Sequence, residues 1–429
     1  MPWCSCRCAR REAHAPIEKQ CTLTDVLVIG AGPAGSMVST LLARRGFKVL
    51  ALERQKFPRF SIGESLLACS AQLLSDAGML DDVMKRSFQY KNGAVFDRDG
   101  RTSEFNFADK SSAGYGFTFQ VQRADFDDTL ARAAAAAGAE IRFDVEITAV
   151  DFSGDRPRVT ARLADGSTEI HEPRFVLDAS GFGRILPKLL ELHRPSAFPP
   201  RAAIFCHVQD NIVAGAFDRQ KIRAGIHPDD HEIWSWLIPF SNGNASVGVV
   251  SSIETHQART GTLEEQFWQA LAAEPRLHDL LSNAKTVRPV GEMIGYAASI
   301  TRLHGKHFAL LGNAAEFLDP IFSSGVTIAM KSAMLAAGVL ERQLRGESVD
   351  WEREFADELN YGVETFRNFV AGWYDGSLQD VIFFPRQQPA IRRMICSVLA
   401  GYVWDKDNPY TGPQSARRLR ALAEICRTS

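Results

Sequence analysis

The 429-residue sequence has no apolar run approaching the roughly 18 residues that a membrane-spanning helix requires. It has no excess of either charge. Against 49 Lys and Arg stand 51 Asp and Glu, a formal net charge of −2, with no basic stripe. That balance argues against a nucleic-acid partner. There is no internal repeat, and no low-complexity tract beyond the helix-forming Ala133–Ala137. The first residues, Met1 to Gln20, lack the apolar core of a secretory signal and read as a polar extension or a misassigned start. Paired cysteines are missing too. Cys4, Cys6 and Cys8 crowd the start, and Cys21, Cys69, Cys206, Cys396 and Cys426 stand singly. Three clustered thiols without a fourth ligand make a poor metal site, and scattered reduced thiols fit the cytosol. His227 and His231 have metal-like spacing, but Pro228 and two aspartates between them suggest a loop. No metal is expected, and the expected compartment is the cytoplasm.

What the chain does have starts at Asp25. The short apolar run Asp25–Gly30 ends in glycine and reads as a buried parallel strand. A helix from about Pro33 to Arg45 and a strand from Lys48 to Leu52 complete a β-α-β unit. Further on, the pattern predicts a helix over Ala124–Ala137. Strands are predicted over Ile141–Phe152, Arg158–Leu163 and Thr168–Val176. From Ala202 to Val250 it becomes β-rich, with strands expected over Ala203–Val208, Glu232–Ile238 and Ala245–Val250. Thr262–Ala273 reads as helix, His307–Leu311 as a buried strand and Gly325–Leu344 as a long helix. The tail from Trp351 is mostly helical, broken near Pro385 and Pro409.

Gly30-Ala31-Gly32-Pro33-Ala34-Gly35 is G-x-G-x-x-G between the first strand and helix. Gly30 permits the tight turn, Gly32 lets a pyrophosphate approach the backbone, and Gly35 lets helix and strand pack closely. The phosphate then meets unpaired N–H groups at the helix start. Glu53 ends the second strand, where a carboxylate accepts from a ribose diol. This much specifies a dinucleotide and leaves NAD and FAD equally open.

Two later segments point to flavin. Leu177-Asp178-Ala179-Ser180-Gly181 resembles the second dinucleotide contact of flavin hydroxylases. Gly312-Asn313 through Asp319-Pro320 resembles the segment that holds the flavin's ribityl chain. Their order, with Gln122-Arg123 between the fingerprint and Asp178, is similar to the p-hydroxybenzoate hydroxylase fold. Within that superfamily the chain resembles the flavin-dependent halogenases from about Asp25 to Asp380. Trp234-Ser235-Trp236-Leu237-Ile238-Pro239 is their W-x-W-x-I-P signature. Phe57 to Leu67, containing Ser61-Ile62-Gly63-Glu64-Ser65, looks like the segment after the acidic strand in phenol and pyrrole halogenases. Phe88 to Ala94 resembles the stretch with their active-site lysine, which gives Lys91 that role. Asp319 to Val326 resembles the halide-binding turn, which places the halide at Ser324 and Gly325.

The resemblance implies an α/β fold with a Rossmann-type FAD-binding domain, an inserted antiparallel β-sheet substrate domain and a helical C-terminal region. The expected division is a flexible extension over 1–24, a discontinuous FAD-binding domain over 25–200 and 285–345, a sheet platform over 201–284, and a helical region over 346–429. The expected cofactor contacts are Gly30, Gly32, Pro33, Ala34, Gly35, Glu53, Arg54, Ser61, Ile62, Gly63, Arg123, Asp178, Gly312, Asn313 and Asp319. The implied chemistry uses FADH2 from a separate flavin reductase, O2, and chloride or bromide. Trp234, Trp236 and Pro239 would wall the flavin from the organic substrate, since i and i+2 on a strand share a face. A hypohalous acid would then reach Lys91, whose ammonium can hydrogen-bond it or whose neutral amine can form a haloamine. Three positions depart from the family. Asn313 stands where aspartate is usual, Ala68-Cys69 replaces a proline, and Phe322 replaces the glutamate of tryptophan halogenases. The last points away from free tryptophan and towards a phenolic aromatic, or an aryl group on an acyl carrier protein. Such variants resemble the halogenase-like flavoproteins of aryl-polyene and resorcinol clusters. An FAD-dependent monooxygenase or oxidoreductase of the same fold, acting on an aromatic or polyene intermediate, is the alternative.

Overall fold

A computed structural model describes residues 24–428. The cysteine cluster at Cys4, Cys6 and Cys8 and all but the last residue of the 1–24 extension lie outside the described residues. Val26–Ile29, Val49–Leu52 and Phe175–Asp178 are strands with every residue buried. They pair in parallel, and Phe308–Leu310 and Glu140–Arg142 extend the sheet on either side. The strands read as continuous apolar runs because helices cover the sheet. Each fully buried Val, Leu or Ile there contributes about 1.5–3 kcal/mol. The helix Pro33–Arg44 opens with proline in its first turn, where the missing N–H costs nothing. A Cβ on Gly35 would sit 2.0 Å from the Gly30 carbonyl oxygen, so only glycine lets this helix lie against the strand. The long helix Ser324–Leu344 packs beside it.

Two expected strands are each two strands. Within Ile141–Phe152, Glu140–Arg142 joins the parallel sheet while Glu146–Asp151 pairs with Arg158–Arg162 in a separate three-stranded sheet. Asp144, at φ +59°, turns the chain between them. Thr168–Val176 divides likewise. Thr168–His171 belongs to the three-stranded sheet and Phe175–Asp178 to the parallel one. Pro173, which has no N–H for a ladder, lies at the break.

The second large sheet has eight strands. Its centre is Arg201–Gln209, Asn244–Ser252 and Trp234–Pro239, all antiparallel. It also recruits Lys221–Ile226, Gly93–Arg98 and Arg101–Asn106, and at the other edge Lys285–Thr286 and Gly291–Ile294. The sheet thus draws strands from outside 201–284 on both sides. A buried ion network pins this recruitment. Arg223, fully buried, meets Asp97 at 2.6 Å and both oxygens of Glu274 at 2.6 and 2.7 Å.

The tail is helical over Glu358–Tyr374, Ser377–Ile382, Pro389–Leu399 and Ser415–Thr428. Trp373, fully buried, sits 5.8 Å from the Phe96 ring and 6.2 Å from Phe322. The helical tail is thereby packed against both the sheet and the turn before the long helix. Among the described residues no helix is long and apolar enough to cross a membrane.

Candidate functional site

A cleft runs from the glycine loop to the eight-stranded sheet. Gly30, Gly32, Pro33, Ala34, Glu53 and Arg54 line one end. Ser61, Ile62, Gly63, Arg123, Asn313 and Asp319 line its length. Trp234, Trp236, Ser324 and Gly325 line the other end. Gly30 needs its freedom here. It has φ +94°, and a Cβ would lie 2.7 Å from the Ala179 carbonyl. Glu53 turns back onto the loop, its Oε2 accepting from Ala31 N at 2.9 Å and its Oε1 from Gln55 N at 3.0 Å. Arg123 is clamped by Asp127 at 2.8 Å and donates to Ile62 O at 2.7 Å, which fixes the segment carrying Ser61 to Ser65.

The residues fit FAD. Asn313 Oδ1 is buried, has no partner among the described residues, and belongs to a residue lining the cleft. An orphaned buried acceptor costs about 1–3 kcal/mol, which a ribityl hydroxyl donor would recover. The helix-start N–H groups after Gly32, which have no intrahelical acceptor, suit a pyrophosphate.

Lys91 does not line the cleft. It is fully buried on the short strand Gln89–Lys91. Its Nζ donates to Ser65 Oγ at 2.7 Å and to Leu66 O at 2.7 Å, and lies 5.3 Å from the Phe107 ring centroid. Burial pulls its pKa down from 10.5 to about 7. Ser65 does line the cleft, so one hydroxyl separates the lysine from it.

The tryptophans share a face as the strand pattern requires, with ring centroids 5.9 Å apart. Each indole N–H is satisfied, Trp236 by Ser246 Oγ at 3.2 Å and Trp234 by Tyr374 Oη at 3.0 Å. Tyr374 in turn donates to Asp319 Oδ2 at 3.0 Å, and Tyr296 donates to the same oxygen at 3.4 Å. The Arg201 guanidinium lies over the Tyr374 ring at 3.5 Å. Burial lifts the Asp319 carboxyl from 3.8 to about 6, against the opposing hydrogen bonds. Burial also holds both tyrosine hydroxyls well above their ordinary value. Tyr374 comes from the helical tail, and no local pattern in the sequence signals this contact.

Four other expected site residues lie off the cleft. Asp178 was expected to touch the dinucleotide. Its carboxylate is fully buried and instead accepts from Ser180 N at 2.9 Å and Leu186 N at 2.7 Å. It shapes the turn whose residues Ala179 to Gly183 form the wall. Gly312 has φ +55°, and a Cβ would meet Ala329 at 2.7 Å, so it serves helix packing. Gly35 serves packing likewise. Pro239 ends the tryptophan strand beyond the wall. The expected site residues do not include Glu64, which lines the cleft and bonds His207 Nε2 at 2.7 Å. Its place within the Gly63-Glu64-Ser65 segment was the available signal. The His227 and His231 pair forms no metal cluster among the described residues.

Residues 23–354 match the FAD binding domain family. A 1H-pyrrole-2-carbonyl-[peptidyl-carrier protein] chlorinase of Pseudomonas fluorescens is 31% identical, over 94% of this chain and 92% of its own. Among solved structures, a flavoprotein/dehydrogenase from Cytophaga hutchinsonii is 42% identical. It covers 95% of this chain and 99% of its own, with a TM-score of 0.91. A flavin-dependent brominase is 26% identical, covering 95% and 100%, with a TM-score of 0.81.

Proposed function

The chain belongs to the flavin-dependent halogenase family of FAD-binding proteins, and from that premise we propose that Lys91 delivers electrophilic halogen to a phenolic or carrier-tethered aromatic. The observation that carries this is the enclosure of Lys91, one hydroxyl behind a cleft that also holds the tryptophan pair. When bound and reduced, FAD supplies the electrons that, with O2, convert chloride or bromide to an electrophilic halogen equivalent.

The protein's own groups do the rest. Gly30, Gly32 and the helix start after them receive the pyrophosphate, and Glu53 orients the loop. Ser324 and Gly325 open a 21-residue helix, where the dipole and unpaired N–H groups favour a halide. Trp234 and Trp236 keep the aromatic substrate from the oxidising centre. Lys91 receives the halogen past Ser65. With a pKa near 7, a large share of Lys91 is neutral amine at neutral pH and the rest ammonium. The amine's lone pair can take the halogen, and the ammonium can hydrogen-bond hypohalous acid. The sequence has no second G-x-G-x-x-G for nicotinamide, which supports a separate flavin reductase as electron source. The chlorinase relative acts on a pyrrole held by a peptidyl carrier, which supports a carrier-tethered guest here.

The test is to supply FAD, a flavin reductase, NADH and bromide with a panel of phenolic and pyrrolic acceptors. Bromine added by mass is expected, and Lys91→Ala should abolish it while NADH-driven O2 consumption continues. Oxygen insertion with no halogenated product from any acceptor would overturn the reading. The Cytophaga flavoprotein/dehydrogenase supports a second reading, direct oxidation of a substrate or NAD(P)H. Fast flavin reduction by NADPH alone in stopped flow would favour it.

A further inference from the structure

Hypohalous acid is water with one hydrogen replaced by halogen. It has one O–H to donate and oxygen lone pairs to accept with, while its halogen end needs no hydrogen bond. A site that presents it to a lysine therefore needs an acceptor and a donor beside that lysine.

The ribbon that carries Lys91 supplies both. Gln89–Lys91 pairs antiparallel with Thr118–Gln120, with Lys91 opposite Thr118 and Gln89 opposite Gln120. Ser65 bridges to Gln120 from the other side. Residues directly opposite one another share a face, as do residues two apart on one strand. Lys91, Thr118, Gln120 and Ser65 thus stand on one face, and none is more than 3% exposed. Ser65 lines the cleft and accepts from Lys91 Nζ, whereas Lys91, Thr118 and Gln120 lie behind it.

Two polar atoms on this face are unspent. Thr118 Oγ1 and Gln120 Oε1 are buried and have no hydrogen-bond partner among the described residues. The Gln120 amide is held in one orientation, because its Nε2 donates to Arg219 O at 3.0 Å. That leaves Oε1 as an acceptor and the Thr118 hydroxyl as a donor. Orphaned buried polar groups cost stability, and apolar side chains of the same size would avoid that cost. A small guest with one O–H would satisfy both.

We propose that Gln120 and Thr118 hold hypohalous acid beside Lys91. Gln120 Oε1 accepts its O–H, the Thr118 hydroxyl donates to its oxygen, and the halogen end is left for transfer. This is a binding step, in which no covalent bond forms or breaks. The inference rests on the halogenase reading and on Lys91 as the residue that receives the halogen.

The test uses the full-length holoenzyme with a flavin reductase, NADH, catalase, bromide and an acceptor that the wild type brominates. Excess N-acetylmethionine is added, whose thioether intercepts hypobromous acid that escapes into solution. The sulfoxide and the brominated acceptor, both read by mass, give the ratio of escape to transfer. Thr118→Val keeps the shape without the hydroxyl, and Gln120→Met keeps the length without the carbonyl. Each should raise the ratio by about 2- to 12-fold, the worth of one neutral hydrogen bond. O2 consumption should hold within about twofold, as should FAD affinity by fluorescence quenching on the apoprotein. The urea midpoint of the Thr118→Val apoprotein should equal or exceed that of the wild type, because its hydroxyl has no protein partner to lose. A hydroxyl with a structural role would lower it. Gln120→Met also deprives Arg219 O of its donor, so Thr118→Val keeps the test open if the glutamine variant folds poorly. An unchanged ratio in a folded variant would overturn the assignment. So would a lower midpoint for Thr118→Val, or a loss of O2 consumption or FAD affinity in either folded variant. A wild-type enzyme that gives neither brominated acceptor nor bromide-dependent sulfoxide defeats the halogenase reading instead.

Discussion

Lys91→Met should make the protein more stable at neutral pH while removing its activity. The wild-type amine is fully buried, and its pKa falls from 10.5 to about 7. A depressed folded-state value means that the unfolded chain binds the proton more tightly. Stability is therefore lost as pH falls below 10.5, and the loss is complete below about 7. A shift of about 3.5 units at ~1.4 kcal/mol each corresponds to a cost of about 5 kcal/mol at low pH, slightly less at pH 7. Methionine fills similar volume without a charge. It leaves Leu66 O, which accepts from Lys91 Nζ, without that donor. An orphaned carbonyl costs about 1–3 kcal/mol, so the expected net gain is about 2–4 kcal/mol at pH 7. Urea unfolding of both proteins at pH 7 and at pH 10.5 measures it. The gain should vanish at the higher pH, where the wild-type lysine is neutral in the folded state and about half neutral in the unfolded one. A Met variant that is less stable at pH 7, or a gain independent of pH, would refute the reasoning. The lysine would then be solvated or paired in a way its burial denies.

Glu53→Gln should weaken FAD binding by about 10- to 100-fold. It removes a charge-assisted acceptor for the Ala31 and Gln55 N–H groups, worth about 1.5–3 kcal/mol, and fluorescence titration reads it directly. Asp319→Asn should stabilise the protein at pH 7.5 but not at pH 3.8 or below. The raised folded-state value near 6 means that wild-type stability is full below the unfolded value of 3.8 and is lost as pH rises through 6. The difference of about 2 units sets an upper bound of about 3 kcal/mol, seen as a gap between the two unfolding curves that opens with pH. Arg223→Met should destabilise the fold by about 3–5 kcal/mol, since Glu274 would be left buried without its cation and Asp97 would keep only the Arg276 cation, at its other oxygen. Urea unfolding checks it, and a neutral result would mean water reaches the network.

Sequence alone determined what depends on near neighbours. Gly30, Gly32, Gly35 and Glu53 lie within one β-α-β unit, where spacing fixes the turn, the close approach and the acid on the next strand. Trp234 and Trp236 share a face because a strand has a period of two. Those signals were enough to place a dinucleotide cleft and, through resemblance, to name the flavin and the halogenase family. The same local logic failed at Asp144 and Pro173, where apparent single strands turn into different sheets, because pairing partners are not written in alternation. Asp178 looked like a ligand residue, yet its carboxylate is spent on two backbone N–H groups of its own turn. Tertiary structure decided the chemistry. Lys91 has a depressed pKa only because the fold removes it from water and sets it on Ser65 and Leu66. Trp234 meets Tyr374 from 140 residues away, and Glu64 meets His207 from 143. A proton's affinity for a side chain is set by solvent and partners in space, and those partners are assembled only when the two sheets and the helical tail close together.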